Sequence, residues 1–146
     1  YDAYCPDEVM INEGVTPLHS AEELYSMCHI VSLHIPATPE TKGSINNALL
    51  SRMPQGAVLV NTARKEVINE DELIQFMQIR KDFKYMTDIM PAADQKMQEL
   101  FEGRYFATPK KMGAQTAEAN INAGIAAAKQ IVDFFENGVT KFQVNK

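Results

Sequence analysis

The chain has 146 residues, 45% of them hydrophobic and 23% charged, which suits one compact soluble domain with its own core. No apolar run reaches the roughly 18 residues of a membrane-spanning helix, and residues 1–5 lack the basic and apolar regions of a signal peptide. The net charge of −5, with no block of Lys or Arg, argues against a nucleic-acid groove but not against a small anionic substrate, because a few local cations hold one phosphate.

In chain order, an edge strand is expected at the start, followed by a helix over 21–27 that Ser20 can cap. Residues 29–35 read as a strand, with Ile30, Val31, Leu33 and Ile35 apolar. A short helix over 46–53 stops at Pro54. The continuous apolar run 57–60 reads as a strand buried on both faces. Asn69 caps the next helix, with Glu72 in the capping-box position and Leu73, Phe76 and Met77 on one apolar face. Residues 83–89 and 105–109 are the third and fourth strands, the latter stopped by Pro109. The clearest helix runs over 116–137, where Ile121, Ile125, Ala128, Val132 and Phe135 form one stripe and Gly138 ends it. Residues 139–145 read as one more strand, open to membership of a different sheet.

Alternating strands and helices imply an α/β fold, a parallel sheet with helices on both faces. Four strands amount to half to two-thirds of a doubly wound sheet. The two cysteines, Cys5 and Cys28, have no Cys-x-x-Cys spacing, so reduced thiols in a cytoplasmic protein are expected. His19, His29 and His34 form no metal-ligand pattern, and no metal site is expected.

No Gly-x-Gly-x-x-Gly is present. A dinucleotide-binding unit places that loop after its first strand, with an acidic residue about 20 residues later for the ribose. Asp2 stands at the very start, so the chain is expected to begin at the end of the second strand, with the glycine loop upstream. Without that loop, the 146 residues alone are expected to bind a dinucleotide poorly and to be inactive.

Four blocks occur in a fixed order: His34-Ile-Pro-Ala-Thr-Pro-Glu-Thr41, Gly56-Ala-Val-Leu-Val-Asn-Thr-Ala-Arg64, Thr87-Asp-Ile89, and Thr108-Pro109 followed by Gly113-Ala-Gln-Thr116. Together they resemble the D-isomer-specific 2-hydroxyacid dehydrogenases, and within them the phosphoglycerate dehydrogenase branch, over essentially the whole chain. The resemblance implies the C-terminal part of a doubly wound, Rossmann-like NAD-binding domain. Residues 1–113 would be the second part of that domain, 114–137 a linking helix, and 138–146 a return segment to the substrate-binding domain. It implies no C-terminal regulatory domain. It also implies a cytoplasmic homodimer paired through the NAD-binding domain, with no nucleic-acid or membrane partner.

Arg64 follows a buried strand, at the sheet edge where such folds bind ligands. A guanidinium there can hold a 2-hydroxyacid carboxylate with two parallel hydrogen bonds; the plainer reading is an Arg on a solvated loop. By the resemblance, Asp2 is the ribose-binding acid, which favours NAD over NADP, and Asp88 meets the nicotinamide carboxamide. His34, Ile35, Pro36, Thr62 and Ala63 would line the cofactor, as would Gly113 and Ala114.

Two positions depart from the family pattern. The family's acid–base Glu, five residues after the position of Asp88, is replaced by Ala93, with Asp94 next to it. The family's His after Thr-Pro is replaced by Lys110-Lys111. Counting forward from Thr-Pro selects Lys110, and counting back from Gly113 selects Lys111. Arg64, Lys110, Lys111 and Asp94 are therefore the catalytic candidates.

A lysine base needs a pKa well below the usual ~10.4. A neighbouring ammonium, the helix N-terminus near Thr116 and burial beside cofactor would each lower it. The competing reading leaves both lysines, with Lys65, to bind a substrate phosphate. The resemblance implies NAD-dependent oxidation of 3-phosphoglycerate to 3-phosphohydroxypyruvate, the first step of serine synthesis, as the expected activity. The rivals are a glyoxylate or hydroxypyruvate reductase and a non-enzymatic NAD-sensing module.

Overall fold

The structure, a computed structural model, describes residues 1–109 and 116–145. The chain divides into two units, Tyr1–Lys110 and Lys111–Lys146.

The first unit is built on strands β1 (Ile30–Leu33), β2 (Val58–Asn61), β3 (Lys84–Thr87) and β4 (Tyr105–Ala107). They lie in the order β1-β2-β3-β4, each parallel to the next. Each neighbouring pair is joined by a helical crossover, as parallel pairing requires. Helices α2 (Ala21–Met27), α3 (Asn47–Leu50), α4 (Glu70–Ile79) and α5 (Asp94–Leu100) bury one face of the sheet. Val31, Leu59, Tyr85 and Tyr105 stand in register on that face. They pack in one core with Tyr25, Leu50, Leu73, Met77, Phe83 and Met97. Each fully buried Leu, Met or Phe in this set contributes about 1.5–3 kcal/mol relative to exposure.

Local chemistry sets the helix starts. The Ser20 hydroxyl accepts the Glu23 N–H at 3.0 Å, and the Asn46 side chain accepts that of Leu49 at 3.1 Å. At α4 the expected box is rearranged. The Asn69 side-chain oxygen Oδ1 accepts the Glu72 N–H at 3.3 Å, while the Asn69 backbone N–H donates to Ile45 O at 3.0 Å. Glu72 is thereby released to take the Asn69 side-chain N–H and the Asn47 backbone N–H, both at 2.7 Å, which fastens α3 to α4.

An ion pair fixes the side where β2 and β3 enter. Asp82 accepts from Arg80 at 2.8 Å and from the Gly56 N–H at 2.7 Å, while Arg80 donates to Met53 O and Pro54 O. Gly56 turns the chain at φ 77°, a conformation that favours glycine.

Three expectations are corrected. Residues 1–6 contain no strand, and a helix α1 (Asp7–Asn12) follows them, with Asp7 and Glu8 in its first turn and no buried residue. Pro6 is its N-cap and accepts the Val9 N–H on its backbone oxygen at 3.0 Å, and the acidic pair complements the helix dipole. Residues 139–145 hold no strand, because none of their backbone groups pairs in a ladder. Within the first unit, helices close only one face of the sheet, and on the other Ile30, Met86 and Phe106 are exposed. The strands accordingly alternate buried and less buried positions, so the run 57–60, expected to be buried on both faces, leaves Val58 and Val60 only half-buried.

The second unit contains α6 (Ala117–Asn137), whose start is capped by Thr116 accepting the Ala119 N–H at 3.0 Å and whose end is set by Gly138 at φ 65°. Among the described residues, no helix is long and apolar enough to cross a membrane. Cys5 and Cys28 are free thiols.

Candidate functional site

Parallel strands deliver their following loops to one edge of the sheet. The segments after β1, β2 and β3 carry His34 to Pro36, Thr62 to Arg64, and Asp88 respectively.

A cavity of about 670 Å³ opens at the end of β1. Asp2, His34, Ile35 and Pro36 line it together, although Asp2 and His34 stand 32 positions apart in the sequence. The Asp2 carboxylate accepts the N–H groups of Tyr4 (2.8 Å) and Cys5 (3.1 Å) through Oδ1. His34 Nε2 hydrogen-bonds the Ser32 hydroxyl at 2.9 Å. Thr38 and Thr41 also line the cavity and shape the loop: Thr41 Oγ1 donates to Pro36 O at 2.6 Å and accepts the Thr38 N–H at 2.8 Å. The Thr-x-x-Thr spacing in a proline-rich stretch was the available signal for that turn.

At the end of β2, Asn61 is fully buried and organises the following loop. Its Oδ1 accepts the Ala63 N–H and its Nδ2 donates to Arg64 O, both at 3.0 Å. Arg64 itself is exposed, with Nη1 donating to Ala63 O at 2.9 Å. Thr62 is exposed and Ala63 half-buried.

The buried Thr87 hydroxyl, at the end of β3, donates to Asn61 O at 2.8 Å and accepts the Ile89 N–H at 3.0 Å. Asp88 N donates to Asn61 O at 3.3 Å. Asp88 Oδ1 is buried with no hydrogen-bond partner. A buried oxygen without a donor costs about 1–3 kcal/mol, so this position suits a ligand that brings an N–H. Together with a cavity edged by a carboxylate, the residues fit a dinucleotide carrying a ribose and a carboxamide.

Asp94, the first residue of α5, is engaged elsewhere. Its Oδ1 accepts the Tyr105 hydroxyl at 2.6 Å and its Oδ2 the Gln98 side-chain N–H at 2.7 Å. Burial first, and then Asp94, push the Tyr105 hydroxyl well above its usual range, so it remains a donor. The sequence spacing alone could not show that this carboxylate ties α5 to β4. Glu70, not singled out from the sequence, reaches the same region: its two oxygens accept the N–H groups of Ala92 and Ala93. Lys110, Lys111, Gly113 and Ala114 lie outside the described residues. Among the described residues, no group of His, Cys, Asp or Glu is placed to hold a metal ion.

Comparison with known proteins matches residues 1–109 to the family model described as D-isomer specific 2-hydroxyacid dehydrogenase, NAD binding domain. A D-3-phosphoglycerate dehydrogenase of Haemophilus influenzae is 36% identical over 134 residues, covering 88% of this chain and 32% of that protein. The crystal structure of an NAD+-bound 3-phosphoglycerate dehydrogenase of Entamoeba histolytica is 48% identical with a TM-score of 0.84, covering 100% of this chain and 46% of that one. A D-mandelate dehydrogenase of Rhodotorula graminis, in its apo form, is 26% identical with a TM-score of 0.75, covering 92% of this chain and 39% of that one. The chain thus spans about a third of the length of the Haemophilus relative and under half of each of these two structures.

Proposed function

Because this chain belongs to the D-isomer specific 2-hydroxyacid dehydrogenase family, we propose that the intact protein oxidises 3-phospho-D-glycerate to 3-phosphohydroxypyruvate with NAD, the opening step of serine synthesis. One observation carries the choice of substrate: the 48% identity, over the whole chain, to the Entamoeba protein named 3-phosphoglycerate dehydrogenase. In the same reading, residues 1–113 are the second part of the NAD-binding domain, 114–137 the linking helix, and 138–146 the return to a substrate domain. Two copies pair through the NAD-binding domain.

Within this reading each residue has a task. The Arg64 guanidinium pairs with the substrate carboxylate by two charge-assisted hydrogen bonds and orients C2. The buried Asp88 Oδ1 accepts the carboxamide N–H of the nicotinamide. Asp2 accepts the ribose hydroxyls, and its charge disfavours a 2′-phosphate. His34, Ile35, Pro36, Thr62 and Ala63, together with Gly113 and Ala114, line the cofactor. Bound NAD supplies the acceptor for the hydride that leaves C2. The C2 hydroxyl proton passes to the neutral amine of Lys110 or Lys111 as the ketone forms. With both oxygens bonded, Asp94 supports the α5 end of the site instead of moving a proton.

The test is NADH formation by the intact protein with 3-phosphoglycerate against unphosphorylated glycerate. Strong preference for the phosphorylated acid is expected. Equal use of both would make the protein a general hydroxyacid reductase, and no turnover with either would leave an NAD-binding module.

A further inference from the structure

The buried face of the sheet changes character at its ligand edge. Val31, Leu59, Tyr85 and Tyr105 form one row across the four strands. Two residues further along, the row is Leu33, Asn61, Thr87 and Ala107. Asn61 and Thr87 are the buried polar residues among those described, at 0% and 4% exposure. An amide placed in a core is costly unless its hydrogen bonds are made. A valine would satisfy the pattern of β2, so the asparagine answers a different demand.

That demand is the loop beyond β2. The side chain of Asn61 spans the next three residues, accepting from Ala63 N and donating to Arg64 O. Its backbone carbonyl separately receives Thr87 Oγ1 and Asp88 N. The two halves of one residue therefore hold two loops, the amide the Arg64 loop and the carbonyl the Asp88 loop. Only the first depends on the identity of the side chain.

We propose that Asn61 is a positioning residue for the substrate: its buried amide fixes the backbone of residues 62–64 so that the Arg64 guanidinium is presented to the carboxylate of the hydroxyacid. The proposal rests on the reading above that Arg64 holds that carboxylate.

The experiment is a double-mutant cycle in the intact protein with Asn61→Ala, Arg64→Ala and both together. Asn61→Asp serves as a shape-conserving second probe. It keeps an acceptor for Ala63 N–H but turns an oxygen towards Arg64 O. KM and kcat for 3-phosphoglycerate, NADH affinity by fluorescence, and thermal stability are measured for each. Both Asn61 variants should raise KM roughly 10–100-fold, the scale expected for small misplacement of a binding group. NADH affinity should fall far less than KM rises: the Asp88 loop is held by backbone that each variant retains, although Thr62 and Ala63, which line the cofactor, belong to the loop that Asn61 holds. In the Arg64→Ala background, Asn61→Ala should add nothing further to KM.

An unchanged KM in a folded Asn61 variant overturns the proposal, as does an equal rise with and without Arg64. A loss of NADH binding that parallels the rise in KM also overturns it. Should both Asn61 variants fail to fold, Asn61 serves the core and the proposal falls. If Arg64→Ala by itself leaves KM unchanged, the failure lies in the reading of Arg64.

Discussion

Glu70 holds the backbone at Ala93: its Oε2 accepts the Ala93 N–H at 3.2 Å, and its Oε1 takes that of Ala92 at 3.1 Å. The segment following Asp88 is thus pinned to the first turn of α4, the helix that begins soon after the Arg64 loop. Two hydrogen bonds to a carboxylate are at stake, and bonds to charged groups contribute about 1.5–3 kcal/mol each. Because the site is partly open to solvent, Glu70→Ala should cost roughly 1–3 kcal/mol, with Glu70→Gln, which keeps an acceptor, costing less. Denaturant unfolding of the intact protein measures it, and equal stability of wild type and Glu70→Ala would show that the tie is not made in solution.

Arg64→Lys retains the charge but not the planar pair of donors. Losing one charge-assisted hydrogen bond should lower kcat/KM for 3-phosphoglycerate about 10–100-fold, chiefly through KM. Steady-state kinetics that leave kcat/KM untouched would remove Arg64 from the carboxylate site.

Lys110→Ala and Lys111→Ala separate the base from its neighbour. Loss of a general base should reduce kcat roughly 10²–10⁴-fold, and the other lysine should matter far less. Activity of the wild type should rise through an apparent pKa of about 7–9, since the amine works only when neutral. Turnover that survives both replacements refutes a lysine base.

Asp2→Asn preserves the oxygen that accepts from Tyr4 and Cys5 while removing the charge. The preference for NAD over NADP should narrow by about tenfold, equivalent to about 1.4 kcal/mol. Cofactor titrations of the two proteins supply the comparison, and an unchanged ratio would place the ribose elsewhere.

The Asp82–Arg80 pair should make part of the stability acid-labile. Hydrogen bonds from Arg80, then from the Gly56 N–H, hold the Asp82 carboxyl well below its usual range. A depressed folded pKa stabilises above the unfolded value of ~3.9, and the contribution fades as pH falls through the folded value. The side chains are 24% and 27% exposed, so the pair is screened in part. Asp82→Asn should therefore cost roughly 1–2 kcal/mol near neutrality and nearly nothing in strong acid. Unfolding curves at the two extremes decide it: a deficit that stays constant with pH would assign the cost to shape instead of charge.

Legible in the sequence were the four strands, the caps at Ser20 and Asn69, and the end of α6 at Gly138. These follow from periodicity and from side chains bonding to backbone within three residues, both local and so visible in a string. That Asn46 and Thr116, read as first helical residues, are caps came from the structure. Arg64 was legible beyond a strand end, because a parallel sheet delivers every such loop to one edge, whereas Asp88 read as part of the strand 83–89 and lies just past β3, which stops at Thr87. Tertiary structure decided what depends on partners distant in the chain. The Asp94 carboxylate meets Tyr105, and Glu70 reaches Ala92 and Ala93 across 22 and 23 residues. Asn61 stood in the sequence only as the residue after the apolar run 57–60, yet it is the joint between two loops. Residues 139–145 carried strand-forming side chains but found no ladder, since β propensity becomes a strand only where a neighbouring backbone is there to pair.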